Sequence, residues 1–246
     1  MPRFHNAQRE VDFDVNSTGF KGNKTITNFS CRGGDIVIVV DNKTVLWVGE
    51  HSRRTSRMSL AQRATSCGST LSPPLLYVGC ANGAIYIFET TEFQLHAFQG
   101  RQAAHEGAVL YIHILKTSLL SCGRDGFIKL WRLKKEESKS LDYINQILEI
   151  DAESSVVACD VVESVDSVSI AVGAVGAVGR GLKVWRVALN EISPRSGALF
   201  TTICEDAPQS ITLRVPTKVP FDEKENTCQS VALVAAIVLG ELCVWN

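Results

Sequence analysis

Short apolar runs, broken by glycine, asparagine, aspartate and serine, recur along the chain. The clearest set lies between His105 and Trp131. Two runs, Ala108 to Leu115 and Leu119-Leu120, lead through Ser121 into the turn Gly123-Arg124-Asp125-Gly126, and a third, Phe127 to Trp131, leaves it. Asp-Gly between strand-like runs signals a hairpin, because the turn needs positive φ angles that these two residues tolerate. Polar residues sit at set places in this pattern: His105 before the first strand, Ser121 late in the second, Asp125 in the turn and Trp131 at the end of the third.

With Trp131 as a ruler, comparable strand ends fall at Trp47, Phe88, Trp185 and Trp245, so all four tryptophans share one register. The successive gaps are 41, 43, 54 and 60 residues. The first two match a propeller blade of roughly 40–45 residues, and the later two need insertions. The proline- and charge-bearing stretches 190–197 and 216–227 supply these. An outer strand is expected over 142–150, after a mixed-charge turn at 132–139. The expected fold is all-β: a β-propeller of four-stranded antiparallel blades, about five degenerate repeats over residues 21–246.

The run Ala104-His-Glu-Gly-Ala-Val, followed by Leu119-Leu-Ser-Cys-Gly-Arg-Asp-Gly-Phe-Ile-Lys-Leu-Trp131, resembles one full repeat of the WD-repeat (WD40) β-propeller family. The resemblance implies that His105, Ser121, Asp125 and Trp131 form a buried polar chain that pins the strands of the blade. A buried carboxylate and imidazole are tolerable only when fully hydrogen-bonded. A hydrolase triad of His105, Ser121 and Asp125 is the competing reading, and no nucleophile elbow surrounds Ser121 to support it. The other repeats depart from the pattern. Asp41, Asn82, Gly179 and Leu239 stand at the turn position of Asp125, and Val48, Glu89, Arg132, Arg186 and Asn246 follow the terminal aromatic. Five repeats where that family mostly builds seven leave a small ring, an open arc and a truncated propeller as alternatives. Residues 1–20 read as a tail or as a strand that closes the ring. Gln99-Gly100 before Ala104-His-Glu-Gly107 is also similar to blades of the echinoderm microtubule-associated-protein-like family, which implies tubulin as a partner.

A net charge of −1 gives no basic footprint for nucleic acid or membrane. The N-terminus lacks an apolar signal core, and the longest apolar stretch, Val231 to Gly240, is about half a membrane span. Eight cysteines without a Cys-x-x-Cys pair read as reduced thiols, several inside apolar strands, which suits the cytoplasm or nucleus. The sequons at Asn16, Asn23, Asn28 and Asn42 then carry no meaning, and zinc lacks its ligand spacing. No other metal, cofactor or catalytic motif stands out.

Residues 51–74 carry Arg53, Arg54, Arg57 and Arg63 among many hydroxyls, and read as a flexible exposed loop. Arg-Arg-Thr-Ser and Arg-Ala-Thr-Ser resemble basophilic kinase sites and make Ser56 and Ser66 candidate phosphorylation residues. A small basic patch for an acidic partner is a third reading of the same arginines. The glycines between Gly173 and Gly181 lack the Gly-Lys-Ser/Thr of a phosphate loop and lead into a strand, so a turn is expected there. His113 alternates with apolar residues and reads as a packed strand residue. The functional expectation is a non-catalytic scaffold in a multi-protein complex, with a cytoskeletal propeller as the alternative and a propeller enzyme as the third class.

Overall fold

The computed structural model describes residues 26–32, 35–40, 44–48, 55–70, 75–89, 96–101, 104–133, 144–164, 167–176, 179–188, 196–203, 208, 210–214, 233–238 and 241–245. The expected tail or closing strand at 1–20 and the insertions at 190–195 and 216–227 lie outside them. Every regular element among the described residues is a strand.

The strands form five antiparallel sheets in chain order. The first holds β1 (Ile26–Arg32), β2 (Asp35–Val40), β3 (Thr44–Val48) and β4 (Thr55–Ser59). The second holds β5 (Ala64–Ser69), β6 (Leu75–Cys80), β7 (Ile85–Glu89) and β8 (His96–Arg101). The third holds β9 (Val109–Ile114), β10 (Ser118–Gly123), β11 (Phe127–Leu133) and β12 (Ile144–Asp151). The fourth holds β13 (Ser155–Glu163), β14 (Ser167–Gly176), β15 (Gly179–Ala188) and β16 (Ser196–Ile203). The fifth shows three strands among the described residues: β17 (Ser210–Arg214), β18 (Leu233–Val238) and β19 (Glu241–Trp245). Trp47, Phe88, Trp131, Trp185 and Trp245 all fall in the third strand of their sheets. The outer strand expected over 142–150 is β12, paired with β11.

Chain order is also the order of packing. The second, third and fourth sheets have both faces covered by neighbours, so the core is a stack of layers between successive sheets. Val45 packs with Leu76, Val78 and Phe88 between the first and second. Tyr77, Ile85 and Ile87 pack with Val109, Leu119 and Trp131 between the second and third. Leu120, Ile128 and Leu130 meet Val156, Ile170 and Trp185 between the third and fourth. Leu182 and Val184 meet Ile211 and Leu213 between the fourth and fifth. The second strands β6 and β10 are buried along their whole length, because they lie inside their sheets and between two others. This explains why Leu-Leu-Tyr-Val-Gly-Cys and Ser-Leu-Leu-Ser-Cys-Gly lack a solvent-facing alternation. The architecture is a β-propeller arrangement of antiparallel blades.

Residues 51–74, expected as one flexible loop, instead contain β4 and β5. β4 pairs with β3 along its length, Val48 opposite Thr55 and Thr44 opposite Ser59. β5 is an inner strand made of small residues, and their size is the reason it is a strand. A Cβ on Gly68 would lie 3.0 Å from the Ile114 side chain, so Ala-Thr-Ser-Cys-Gly-Ser lets this strand approach the third sheet closely. The glycines of 173–181 lie in the hairpin of β14 and β15, whose register closes at Gly176 opposite Gly179.

Candidate functional site

The third sheet carries the polar chain that its sequence pattern suggests. Leu119 and Ser121 share the face of β10 turned to the second sheet, and Leu119 lies opposite Trp131 in the register. The Trp131 indole donates to Ser121 Oγ at 2.8 Å. Ser121 Oγ lies 2.8 Å from His105 Nε2, and His105 Nδ1 lies 3.0 Å from Asp125 Oδ1 and 3.1 Å from Oδ2. Because Asp125 accepts, the proton sits on Nδ1, Nε2 accepts from the Ser121 hydroxyl, and Ser121 accepts from tryptophan. The Asp125 carboxylate also takes the backbone N–H of Glu106 at 2.9 Å and of Phe127 at 3.2 Å. It thereby ties the start of the blade to its central turn.

Burial lowers the pKa of His105 below its ordinary value, against the opposing pull of Asp125, so the neutral ring this chain requires is the one favoured. Two glycines make room. A Cβ on Gly123 would run into the Asp125 carboxylate and the His105 ring. Gly83, at φ 82°, presses its backbone against the His105 carbonyl from the turn of the second sheet.

The Asp–His–Ser order matches that of a hydrolase triad, but access rules out the chemistry. Ser121 is 0 % exposed and its oxygen already accepts from Trp131, so no acyl group can reach it. These are framework groups.

Among the described residues, side chains also latch inner strands β5, β9, β13 and β17 in succession, and the sequence reading missed them. Thr65 Oγ1 and Ser66 Oγ donate to the Val109 carbonyl at 2.6 and 2.9 Å, joining β5 to β9. The Tyr111 hydroxyl donates to the Val157 carbonyl at 2.7 Å, joining β9 to β13. Asp160 Oδ2 accepts from the Leu213 N–H at 2.8 Å, joining β13 to β17. The signal was present as polar residues, Thr65 and Ser66, Tyr111 and Asp160, recurring within three successive inner strands.

Ser66 is therefore not an accessible phosphate acceptor. It is 3 % exposed and hydrogen-bonded across a sheet interface, where a phosphate would face a carbonyl oxygen. Ser56 lies in β4, opposite Trp47. Of the four arginines, Arg53 and Arg54 fall outside the described residues, Arg57 lies on β4 and Arg63 is exposed ahead of β5. No three-residue cluster suited to a metal occurs among the described residues.

At one end of the second and third sheets and the entry to the fourth, backbone hydrogen bonds tie the turns and strand entries together. Ala81 N–H meets the Arg63 carbonyl at 2.8 Å, His105 N–H the Gly83 carbonyl at 3.0 Å, Arg124 N–H the Ala108 carbonyl at 2.8 Å and Ala152 N–H the Gly126 carbonyl at 2.9 Å. Arg63, Asn82, Glu106, Arg124 and Glu153 are exposed there.

No family model matches the chain, and no curated protein matches it in sequence. Solved structures do match in fold. A crystal structure of the Myceliophteria thermophila Cps50 (Swd1) β-propeller domain aligns over 89 % of this chain and 83 % of that one, with a TM-score of 0.50 and 10 % identity. A crystal structure of Saccharomyces cerevisiae Sqt1 aligns over 90 % of this chain, with a TM-score of 0.63 and 11 % identity. The chain spans 59 % of the Sqt1 chain. Both neighbours are WD40 β-propellers, and nothing in these comparisons supports the narrower resemblance to the microtubule-associated branch.

Proposed function

We propose that the protein is a non-catalytic platform for protein–protein interaction, with this end of the second and third sheets and the entry to the fourth as its docking face. The observation that supports this is a set of backbone hydrogen bonds among the exposed turns, of which His105 N–H to the Gly83 carbonyl ties the third sheet to the second and Ala152 N–H to the Gly126 carbonyl ties the connection into the fourth sheet to the third. A rigid face binds without the ordering cost that a mobile loop incurs. Arg63, Arg124, Glu106 and Glu153 give it both signs of charge, which suits a folded, polar protein surface more than a nucleic acid. The fold by itself does not choose the partner. The free thiols of Cys67, Cys80, Cys122, Cys159 and Cys243 support a reducing compartment, the cytoplasm or nucleus.

The test is affinity capture from native extract with the wild-type chain and with the double charge reversal Arg124→Glu, Glu106→Arg. A stoichiometric complex with the wild type, lost in the reversal while circular dichroism is unchanged, supports the reading. A folded wild-type chain that retains nothing above background, or a complex indifferent to the reversal, counts against this face. Co-pelleting with polymerised tubulin tests the cytoskeletal alternative separately.

A further inference from the structure

The seam between the third and fourth sheets holds a thiol pair that the propeller framework does not require. Cys122 on β10 and Cys159 on β13 place their sulfurs 3.4 Å apart, with the Cys122 thiol donating to Cys159. They are 0 % and 8 % exposed, and 36 residues of chain lie between them. A disulfide needs about 2.05 Å, so the sulfurs have to come roughly 1.4 Å closer.

The Cys122 thiol and burial together hold the Cys159 thiol well above its ordinary pKa. His113 on β9 acts on Cys159, drawing its pKa down against the larger upward push of Cys122 and of burial. His113 Nε2 is buried without a hydrogen-bond partner, which calls for an explanation in a packed seam. Its ring is stacked on Tyr111, centroids 6.4 Å apart at 13°, and Tyr111 is anchored to the Val157 carbonyl. The imidazole is thus held in place against Tyr111.

We propose that Cys122 and Cys159 are an oxidation site, at which a small oxidant of the peroxide class converts the two thiols into a disulfide joining the third sheet to the fourth. The Cys159 sulfur attacks one peroxide oxygen, the O–O bond breaks, and the departing oxygen takes up the thiol proton and leaves as water. The resulting sulfenic acid is attacked by the Cys122 sulfur. The S–O bond breaks, and the hydroxyl leaves with the Cys122 proton as a second water. Two electrons pass from the thiols to the peroxide, which ends as two waters. Burial makes the first step slow, so the pair answers sustained oxidant and ignores brief exposure.

The experiment oxidises the full folded chain with hydrogen peroxide, alkylates the remaining thiols, digests without reductant and reads the peptides by mass spectrometry. The expected result is a Cys122–Cys159 linked peptide, reversed by dithiothreitol, with Tm raised by roughly 5 °C. Both cysteines alkylated after oxidation, Cys159 over-oxidised with Cys122 free, or a link that forms only in urea would each overturn the proposal.

Discussion

Replacing Ser121 by alanine removes the hydroxyl that joins Trp131 to His105. The volume lost is one oxygen, so packing changes little. What remains is an indole N–H and an imidazole nitrogen that have each lost the bond to Ser121, both in side chains 3 % exposed or less. Each buried group that loses this bond costs about 1–3 kcal/mol, so Ser121→Ala should lose about 2–6 kcal/mol of folding stability. In a chain of this size that lowers Tm by about 5–25 °C. Urea unfolding followed by circular dichroism reads it, and a double-mutant cycle with Trp131→Phe isolates the shared bond. Once the indole donor is gone, one of the two groups no longer exists, so the pair should show a coupling of about 1–2 kcal/mol. A loss below about 0.5 kcal/mol, as at an unremarkable surface site, or strict additivity in the cycle, would refute the buried chain.

The lowered pKa of His105 means that the unfolded chain binds a proton that the folded chain does not. Its contribution is therefore complete above the ordinary value of 6.5 and is lost as pH falls below it. The difference in stability between wild type and His105→Gln, measured by urea unfolding, should shrink as pH is lowered from neutrality towards 5. Gly123→Ala should cost about 1–3 kcal/mol, because the added methyl meets Asp125 and His105 where neither can retreat, and thermal unfolding reads this directly. Ser66→Asp sets a carboxylate against the Val109 carbonyl and should cost roughly 3 kcal/mol or more. Consistently, a basophilic kinase should leave Ser66 unmodified on the folded chain, as mass spectrometry of its peptide would show.

Much of the architecture was legible because one signal repeats. Five aromatic residues share a register, and the structure puts each in the third strand of a sheet. The His105, Ser121, Asp125 and Trp131 set stood out because the four fall at distinct strand and turn positions within a single repeat. Residues 64–69 were not legible as a strand, since Ala-Thr-Ser-Cys-Gly-Ser has neither the bulk nor the alternation by which strands are recognised. Its smallness is a property of its place, an inner strand pressed on Ile112 and Ile114, and that place exists only in the assembled fold. The seam between Cys122 and Cys159 was hidden for a related reason. Each cysteine reads alone as a small buried hydrophobe, and only the packing of β10 on β13 brings the two sulfurs together.

If the third sheet is held by a buried Trp–Ser–His–Asp chain between flanking sheets, the Trp131 indole proton is sealed from water. Hydrogen exchange of that proton, followed by nuclear magnetic resonance in deuterated buffer, tests this most directly. It should exchange among the slowest protons of the molecule and should speed up sharply in Ser121→Ala. Exchange as fast as that of the amides of the outer strand β12 would contradict the buried chain and the stacked sheets that enclose it.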